Sequence, residues 1–507
     1  MCAFATKVRG RFRFNMTRTF CVAACIGLMG AAASPVSAQP LTISKAWTYE
    51  HTTPGQVSEI PAYDPLTRTV WVAGVVGIDV LDAGTGALVG HIDVTGHGFV
   101  NSVAIRNGVA ALAIEASPDR RLPGKVLFFN TRTRALVSGI SEVSVGALPD
   151  MLTFTPDGKR LLVANEATPN AVADTPYVQP DPAGSVSIID VRRRTVVATA
   201  GLAGVPQYGL NLRTNSGMDF EPEYITVAPN GKQAYVTLQE GNAIGILDLG
   251  INAFTSIVGL GAKDFSLPGN GIDTVDNDAK VLFQAVAAKG LYMPDTIASF
   301  RHRGQTFLVT ANEGDFREDN ADRSAGSAFG GVAPLSRLRV VNTESSAGNL
   351  FAAGARSFSI WTDTGAQVYD SGNTLGVEAH ARGIYDDGRS RDKGVEPEGV
   401  ELMTLGGKTC AFIGLERTTM AALAVFDITD PANSSFVTMI TNAGDVSPEG
   451  LKGFSAGGHN YIAFSSEVSN TTTVMQLSAV PEPASLALLL AGLGLVGTVA
   501  ARRQRPA

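Results

Sequence analysis

The sequence contains little cysteine, few aromatic residues and little charge. Only four of its 507 residues are cysteine, 7% are aromatic and 17% are charged. Cys2, Cys21 and Cys25 lie in an N-terminal segment that we expect to be removed, so Cys410 alone would remain and the rest of the chain would have no internal disulfide. Glycine is abundant, with 55 residues, and this composition favours many short strands joined by tight turns.

The N-terminal segment has the three parts of a secretory signal peptide. A basic stretch from Lys7 to Arg18 precedes an apolar run, Phe20 to Ala33, and Val36-Ser37-Ala38 forms a small-x-small cleavage site. We therefore predict a signal peptide over residues 1–38, which is removed from the mature protein. The alternative, a membrane anchor, is disfavoured because the apolar run is short.

The C-terminal segment, residues 481–507, also has three parts. Pro481-Glu482-Pro483 precedes an apolar helix predicted from Ser485 to Ala501, and a basic cluster, Arg502, Arg503 and Arg505, follows the helix. Basic residues after an apolar helix hold that end in the cytoplasm, which places the body outside. The layout resembles the PEP-CTERM sorting tail. This resemblance implies that an exosortase removes the tail during export in a Gram-negative bacterium; the alternative is a permanent single-span anchor.

The predicted mature body is strongly acidic. The whole chain has 40 basic and 47 acidic residues, of which the signal peptide takes five basic ones and the tail takes three basic and one acidic. Residues 39–480 keep 32 basic and 46 acidic residues, a net charge of −14. Such a surface repels nucleic acid and anionic lipid, so we expect neither as a partner of the body, and it attracts cations.

A pattern repeats along residues 39–480: an acid, alternating apolar residues, a turn that usually contains glycine, a second apolar strand, another acid and a third strand. Seven stretches follow it, and they begin at Ser58, Asn101, Leu148, Glu221, Met293, Glu396 and Ser447. Four-stranded units that recur at roughly 40 residues or more predict a β-propeller. The alternative, two β-sandwich domains, does not explain the repeat.

The two ends of the body predict how the propeller closes. The seventh unit has only three strands, 449–454, 460–465 and 471–477, while a spare strand, Leu41 to Thr48, precedes the first unit. This spare strand can supply the missing fourth strand, and closure removes open sheet edges. The sequence therefore predicts an all-β, seven-bladed propeller whose ring is closed by an N-terminal strand.

Several stretches resemble the choice-of-anchor I family over residues 45 to 477 approximately. They are PDMLTFTPDGKRLLVANEATPN, EPEYITVAPNGKQAYVTLQEGNAIGILDL, YMPDTIASF, FLVTANEGDFRED and DKGVEPEGVE, and two shorter ones, QAYVTL and GILDL, more distantly resemble YVTN surface propellers. The resemblance implies an exported protein with one of several alternative C-terminal anchors. Some relatives are labelled phosphatase-like or are fused to metallophosphatase or nucleotidase domains.

The acids of the repeat are expected to meet at one end of the propeller. In an antiparallel hairpin, the start of the first strand and the end of the second lie side by side. The innermost strands line the channel, so we expect a first ring at its mouth: Glu59, Asp150, Glu223, Asp295, Glu398 and Glu449, with Asn101 in the second blade. A second ring is expected just outside it: Glu115, Glu166, Glu240, Glu313, Glu416 and Glu467.

Carboxylates this close need a compensating charge. Two of them at about 4 Å repel by roughly 1 kcal/mol in water and by several times more at lower dielectric. A divalent cation is the simplest compensation, and hard oxygen ligands suit Ca²⁺, so we predict a metal site with the first ring as the favoured ligands. The alternative is that each acid accepts backbone N–H bonds or pairs with an arginine of the neighbouring blade.

Long connections gather on the same face. Five insertions are expected there, at residues 167–184, 200–221, 261–292, 314–357 and 373–395, and long loops on one face of a rigid scaffold usually carry function. Two insertions are rich in acids, either as metal ligands or as solvated loops: Asp273, Asp276 and Asp278, then Asp315, Glu318, Asp319 and Asp322. Their basic residues would either hold an anion or pair with local acids: Arg317, Arg323, Arg382, Arg389 and Arg391, with His380.

Three functions remain open from the sequence. The first is an exported, monomeric propeller of the cell surface or extracellular matrix that binds divalent cations and recognises a partner through its long-loop face. The second is a metal-dependent phosphoester hydrolase, and the third is a purely structural surface protein. No catalytic residue is predicted, because there is no evident nucleophile or base and the six histidines lack the HExxH spacing. Signal peptidase and an exosortase are the expected partners during export.

Overall fold

A computed structural model describes residues 41–168, 182–213, 220–276, 278–317 and 322–479. The predicted signal peptide and the sorting tail, including Pro481, Glu482 and Pro483, lie outside these residues. Among the described residues, no helix is both long and apolar enough to cross a bilayer. The apolar helix predicted over 485–501 also falls outside them.

The described chain consists mainly of antiparallel β-sheets. After β1 (Leu41–Glu50), the first sheet contains β2 (Pro61–Asp64), β3 (Thr69–Gly74), β4 (Gly77–Asp82) and β5 (Leu88–Asp93). The second contains β6 (Phe99–Arg106), β7 (Val109–Glu115), β8 (Pro123–Asn130), β9 (Ala135–Leu136) and β10 (Glu142–Ala147). The third contains β11 (Pro149–Phe154), β12 (Arg160–Asn165), β13 (Ser185–Asp190) and β14 (Thr195–Gly201).

The fourth and fifth sheets include or adjoin the longest insertions. The fourth contains β15 (Gln207–Leu210), β16 (Pro222–Val227), β17 (Gln233–Leu238), β18 (Ala243–Asp248) and β19 (Ala253–Leu260). Next come β20 (Ala262–Asp264) and β21 (Ala288–Leu291), then β22 (Ile297–His302) and β23 (Gln305–Asn312), which begin the fifth sheet. An insertion adds β24 (Arg323–Ala325), β25 (Arg339–Val341) and β26 (Leu350–Ala352) before the fifth sheet ends with β27 (Ser357–Thr362) and β28 (Gln367–Asp370).

The last part of the chain contains a short helix and two sheets. Helix α1 (Thr374–Ala381) precedes the sixth sheet, which has β29 (Pro397–Leu405), β30 (Lys408–Leu415), β31 (Ala421–Asp427) and β32 (Ser435–Asn442). The seventh has β33 (Pro448–Ala456), β34 (His459–Ser466) and β35 (Thr471–Ala479). Strand β1 pairs antiparallel with β35, from Leu41 opposite Ala479 to Glu50 opposite Thr471, and is the fourth strand of this sheet.

Each sheet buries both of its faces against its neighbours. The middle strands read as nearly continuous apolar runs, such as Leu161 to Ala164 in β12, and are fully buried. One apolar cluster joins the first and second sheets through Trp71 and Leu112, and another joins the seventh sheet to the first through Phe454 and Val70. Cys410 is a buried free thiol in β30.

A buried polar network joins β1, the first sheet and the seventh sheet. The carboxylate of Asp79 in β4 accepts a hydrogen bond from Nδ1 of His51 and another from Nδ1 of His91, both at 2.7 Å. The second ring nitrogen of His51 lies 2.8 Å from the hydroxyl of Thr472 in β35. Burial alone would raise the pKa of Asp79, but the two histidines hold it below its ordinary value. The network therefore fixes the chain just after β1 to strands on both sides.

Replacing Asp79 by asparagine should lower the free energy of unfolding by roughly 3 kcal/mol, because the buried His51 and the partly buried His91 lose their charged acceptor. Urea unfolding of the purified protein measures the loss. Glu50→Gln, an exposed change on β1, is the control and should alter stability by less than about 0.5 kcal/mol. Equal stability of the two variants would contradict this role for Asp79.

Candidate functional site

The first strand of each large sheet lies at a free sheet edge. These strands are β2, β6, β11, β16, β22, β29 and β33, each paired on one side only. They contact one another in chain order, and β33 contacts β2. The space that they enclose, here the central channel, includes a cavity of about 510 Å³ lined by residues from all seven strands.

Proline and an irregular register position the first-ring acids. In five sheets a proline directly precedes the acid, as in Pro149-Asp150, Pro222-Glu223, Pro294-Asp295, Pro397-Glu398 and Pro448-Glu449. In four of them the pairing with the second strand shifts register just after that proline. Proline cannot donate a ladder hydrogen bond, and a bulge turns the next side chain out of the regular alternation. The repeated irregularity therefore turns the acidic side chain at the same position in each of these four sheets.

The acids of several sheets surround one small cavity. It has a volume of about 190 Å³, and we name it the acidic cavity. Its charged and amide side chains are those of Glu59, Asn101, Glu115, Arg120, Asp150 and Glu449. Tyr224 and Met151 line both this cavity and the larger one, so the acidic cavity is one end of the central channel.

Burial and mutual repulsion raise the pKa values around the acidic cavity. Burial raises the pKa of Glu59 to about 8, and repulsion from Asp150 adds to the effect. Burial also raises the pKa of Asp150 to about 6, although Arg120 partly offsets it. The pKa of Glu449 lies well above its ordinary value because of burial and the nearby Glu59. Carboxylates of the first, third and seventh sheets thus act on one another directly.

The remaining first-ring acids belong to the same group. Burial raises the pKa of Glu223 well above its ordinary value, and repulsion from Glu240 and Asp295 reinforces this. The pKa values of Asp295 and Glu398 are raised in the same way, by burial first and then by neighbouring acids that include Glu449. Each of the six first-ring acids therefore lies close enough to another of them to affect its pKa.

Three of these carboxylates each have one oxygen without a hydrogen-bond partner among the described residues. One oxygen each of Glu223, Glu240 and Glu398 is buried and accepts no hydrogen bond from any described residue. Ion pairs near these acids join basic side chains to other carboxylates, among them Glu115, Glu313, Glu396 and Glu416. At Glu223 and Glu398, the backbone amides and basic side chains of the described residues therefore leave one carboxylate oxygen without a donor.

The second ring divides into different environments. Carboxylate oxygens of Glu313, Glu416 and the neighbouring Glu396 lie within 4.8 Å of one another, in a buried group. Nζ of Lys393 lies 2.5 Å from Glu313 and 3.1 Å from Glu396. Arginines complete the compensation, with Arg389 at 2.6 Å from Glu396 and Arg417 at 2.7 Å from Glu416. In this sector the protein supplies its own cations, as the alternative from the sequence proposed.

The other second-ring acids differ in exposure. Glu115 lies in the acidic cavity, where burial raises its pKa and Arg120, with Nε at 3.9 Å, opposes the shift. Glu240 is buried, Glu166 accepts a hydrogen bond from the hydroxyl of Thr168, and Glu467 is exposed. Sequence reasoning missed Lys393 and Glu396, although both lie in the stretch DKGVEPEGVE beside the predicted Glu398.

The acid-rich insertions are packed rather than solvated. Asp273 is buried and accepts a hydrogen bond from the hydroxyl of Ser390 at 3.1 Å. Asp276 is buried and pairs with Arg337 at 3.0 Å and Arg391 at 3.3 Å. The insertions also have an apolar core of their own, which includes Phe265 and Leu338 among its members. At Asp273 and Asp276 both sequence interpretations, metal ligands and solvated loops, give way to internal hydrogen bonds and ion pairs.

The other charged residues of these insertions have varied partners. Asp322 is buried and pairs with Arg213 at 2.5 Å, and Arg382 pairs with Glu378 one helical turn away. Arg323 lies over the ring of Phe316, and the ring of His380 faces the edge of Phe283. Asp278 is exposed. Asp315 lies 3.2 Å from Nζ of Lys393. The guanidinium of Arg317 lies 4.0 Å from the carboxylate of Glu221. Glu318 and Asp319 lie outside the described residues.

Comparison with solved structures identifies the class of fold. The chain is similar to the hydrazine synthase of Kuenenia stuttgartiensis, a β-propeller-like structure, with a TM-score of 0.51 over 85% of this chain and 98% of that chain. The sequence identity is 13%, so the likeness concerns the fold alone. No curated protein matches the sequence.

The family is established by sequence models. The chain belongs to the choice-of-anchor I domain family, whose model matches residues 59–431. A PEP-CTERM protein-sorting motif matches residues 479–505. Both resemblances noted in the sequence are confirmed, and together they indicate an exported, exosortase-sorted cell-surface protein of a Gram-negative bacterium.

The acid group predicts how stability depends on pH without metal. The folded pKa of Glu59 is about 8, against an ordinary value of 4.5, and the other first-ring acids are raised as well. The folded protein therefore holds more protons across this window, and its stability should fall as the pH rises from 4.5 to 8. Thermal unfolding in EDTA should give a lower Tm at pH 8 than at pH 5.

A triple variant tests which acids cause this slope. Glu223→Gln, Glu398→Gln and Glu449→Gln together should raise the Tm at pH 8 and flatten the pH dependence, because three buried charges are removed. A surface triple, Glu50→Gln, Glu142→Gln and Glu344→Gln, removes the same number of charges and should keep the wild-type slope. An unchanged slope in the buried triple would show that these acids are not the source.

Lys393 gives a separate prediction for the compensated sector. Lys393→Met should destabilise the protein by roughly 3–5 kcal/mol at pH 7.5, because Glu313 and Glu396 would be left buried without their cation. Lys408→Met, which breaks a partly exposed pair with Asp427 at 3.0 Å, is the control and should cost about 1 kcal/mol or less. Urea unfolding distinguishes the two, and similar losses would mean that Lys393 does not hold this group together.

Proposed function

We propose that this protein is an exported seven-bladed propeller that binds a divalent cation, Ca²⁺ in the first place, at the acidic end of its central channel. The seven sheets would be the blades, and β1 would supply the outer strand of the last one and so close the ring. The pairing of β1 with β35 and the contact of β33 with β2 support this arrangement.

The observation that carries the metal proposal is the pair of buried, unpartnered oxygens on Glu223 and Glu398. A buried carboxylate oxygen without a donor is costly, and a cation removes the cost by coordination. Protonation is the other remedy, and it is available only while the pH stays below the raised pKa values. A cation would therefore be needed most at neutral and alkaline pH.

The donors in this group suit calcium. Ca²⁺ takes six to eight oxygen ligands at about 2.3–2.6 Å and tolerates irregular geometry. The first ring offers six carboxylates and the amide oxygen of Asn101, with Glu59, Asp150 and Glu449 around the acidic cavity. The sector of Glu313, Glu396 and Glu416 is the poorer candidate, since Lys393 already occupies it.

The long-loop face would recognise a partner at the cell surface or in the extracellular matrix. Its insertions form ordered strands with their own core, so they present a defined surface. Large apolar side chains are exposed on them, notably Val332 at 76%, Leu282 at 57% and Leu267 at 52%. Such side chains can supply the apolar core of an interface once a partner covers them. Exosortase processing of the tail would release or attach this body outside the cell.

Calcium should stabilise the purified protein. A ligand at one hundred times its Kd adds about 2.7 kcal/mol to the free energy of unfolding, so the Tm at pH 7.5 should rise with CaCl₂ after treatment with EDTA. The triple variant Asp150→Asn, Glu223→Gln and Asp295→Asn should lose this shift. The surface triple of Glu50, Glu142 and Glu344 should keep it.

The same material separates the alternatives. Absence of a calcium shift in the wild-type protein, with no shift from Mn²⁺ or Mg²⁺ either, would overturn the metal proposal and leave a structural surface protein. A panel of phosphate esters, assayed in Ca²⁺ or Mn²⁺, tests the phosphoester hydrolase. Hydrolysis that is lost in the triple variant Asp150→Asn, Glu223→Gln and Asp295→Asn would favour it. That activity stays a prediction from the sequence alone, and a cation shift without hydrolysis supports the binding protein.

A further inference from the structure

The larger cavity of the central channel is a second candidate site, separate from the acids. Its volume of about 510 Å³ lies within the range of roughly 300–1,000 Å³ that small-molecule pockets occupy. It extends from Tyr224 and Met151, which border the acidic cavity, to Arg106 and Lys452 at its other end. A site here could be filled whether or not a cation is bound.

The wall of this cavity is rich in backbone hydrogen-bonding groups. Each of the seven first strands pairs on one side only, so its other edge faces the channel with N–H and C=O groups outside any sheet. In β11, for example, Leu152, Thr153 and Phe154 pair with β12 and have no strand beyond them. Buried backbone groups need partners, so a ligand in this cavity must both donate and accept hydrogen bonds.

The side chains add hydroxyl groups and aromatic faces but little unbalanced charge. Thr226 and Tyr63 contribute hydroxyls, and Phe154 and Tyr63 contribute rings that are partly exposed within the channel. Glu401 is paired with Lys452 at 3.0 Å, and the exposed guanidinium of Arg106 donates to the carbonyl of Pro156. Glu401 and Lys452 thus neutralise each other, and the charge of Arg106 lies at an exposed side chain bonded to a backbone carbonyl.

We propose that this cavity binds a neutral polyhydroxylated molecule, such as a mono- or disaccharide. Hydroxyl groups donate and accept, which matches the backbone edges, and the C–H faces of a sugar ring pack against aromatic rings. An apolar ligand would displace water from the backbone groups without replacing the hydrogen bonds that the water makes. An anionic ligand would meet the negative field of the acidic cavity beside it.

Isothermal titration calorimetry of the full-length protein in EDTA tests the proposal independently of the metal. Maltose and cellobiose are the neutral probes, and glucuronate and glucosamine are charged comparators. At least one neutral disaccharide should bind saturably with one site per chain. Ala298→Leu, which adds bulk to a residue lining the cavity on β22, should weaken binding by roughly tenfold or more.

The control and a milder variant keep the test decisive. Ala135→Leu makes the same substitution at an exposed position on the outer strand β9 and should change the affinity by less than about twofold. Thr226→Val removes a channel hydroxyl, which also donates to Ser299 at 3.0 Å, and should weaken binding several-fold, so it replaces Ala298→Leu if that variant does not fold. No saturable heat with either disaccharide, binding of a charged comparator alone, or equal affinities in Ala298→Leu and Ala135→Leu would each overturn the proposal.

Discussion

Repulsion among buried carboxylates is the constraint on which the rest of this structure depends. Seven sheets bring the starts of their first strands to one end of the central channel, and six of those starts carry an acid. Burial then makes each negative charge costly, and neighbours such as Glu223 and Asp295 increase the cost for one another. A fold that places like charges so close must neutralise them by protons, by basic side chains or by a bound cation.

The protein uses different remedies in different sectors. Around Glu313 and Glu396 the insertion before the sixth sheet brings in Lys393, and the negative charge is compensated within the chain. Around Glu223 and Glu398 the described residues provide no such partner, and buried oxygens remain unsatisfied. The two sectors therefore differ: basic side chains compensate the first, while carboxylate oxygens without a donor remain in the second.

Much of this arrangement could be predicted from the sequence, because it follows from periodicity. Alternating apolar residues and turn signals give the hairpins, and a hairpin places its two end residues together, so the group containing Glu59, Asp150 and Glu449 could be anticipated. Contacts between residues that are distant in sequence could not be predicted in this way. Lys393 reaches Glu313 across 80 residues, and no local pattern states which insertion will fold over which strand. The proline before each acid was visible in the sequence, but its register shift appears only in the pairing.

The pairing of β1 with β35 also determines when the body can finish folding. Strand β1 is synthesised before β35, which lies more than 400 residues later in the chain, so the seventh sheet is complete only when β35 has been made. Contacts of such long range slow folding and leave an open edge in every shorter chain. Synthesis and secretion therefore proceed on a chain whose final sheet is still unmade, and the body can be completed only after its whole length has emerged.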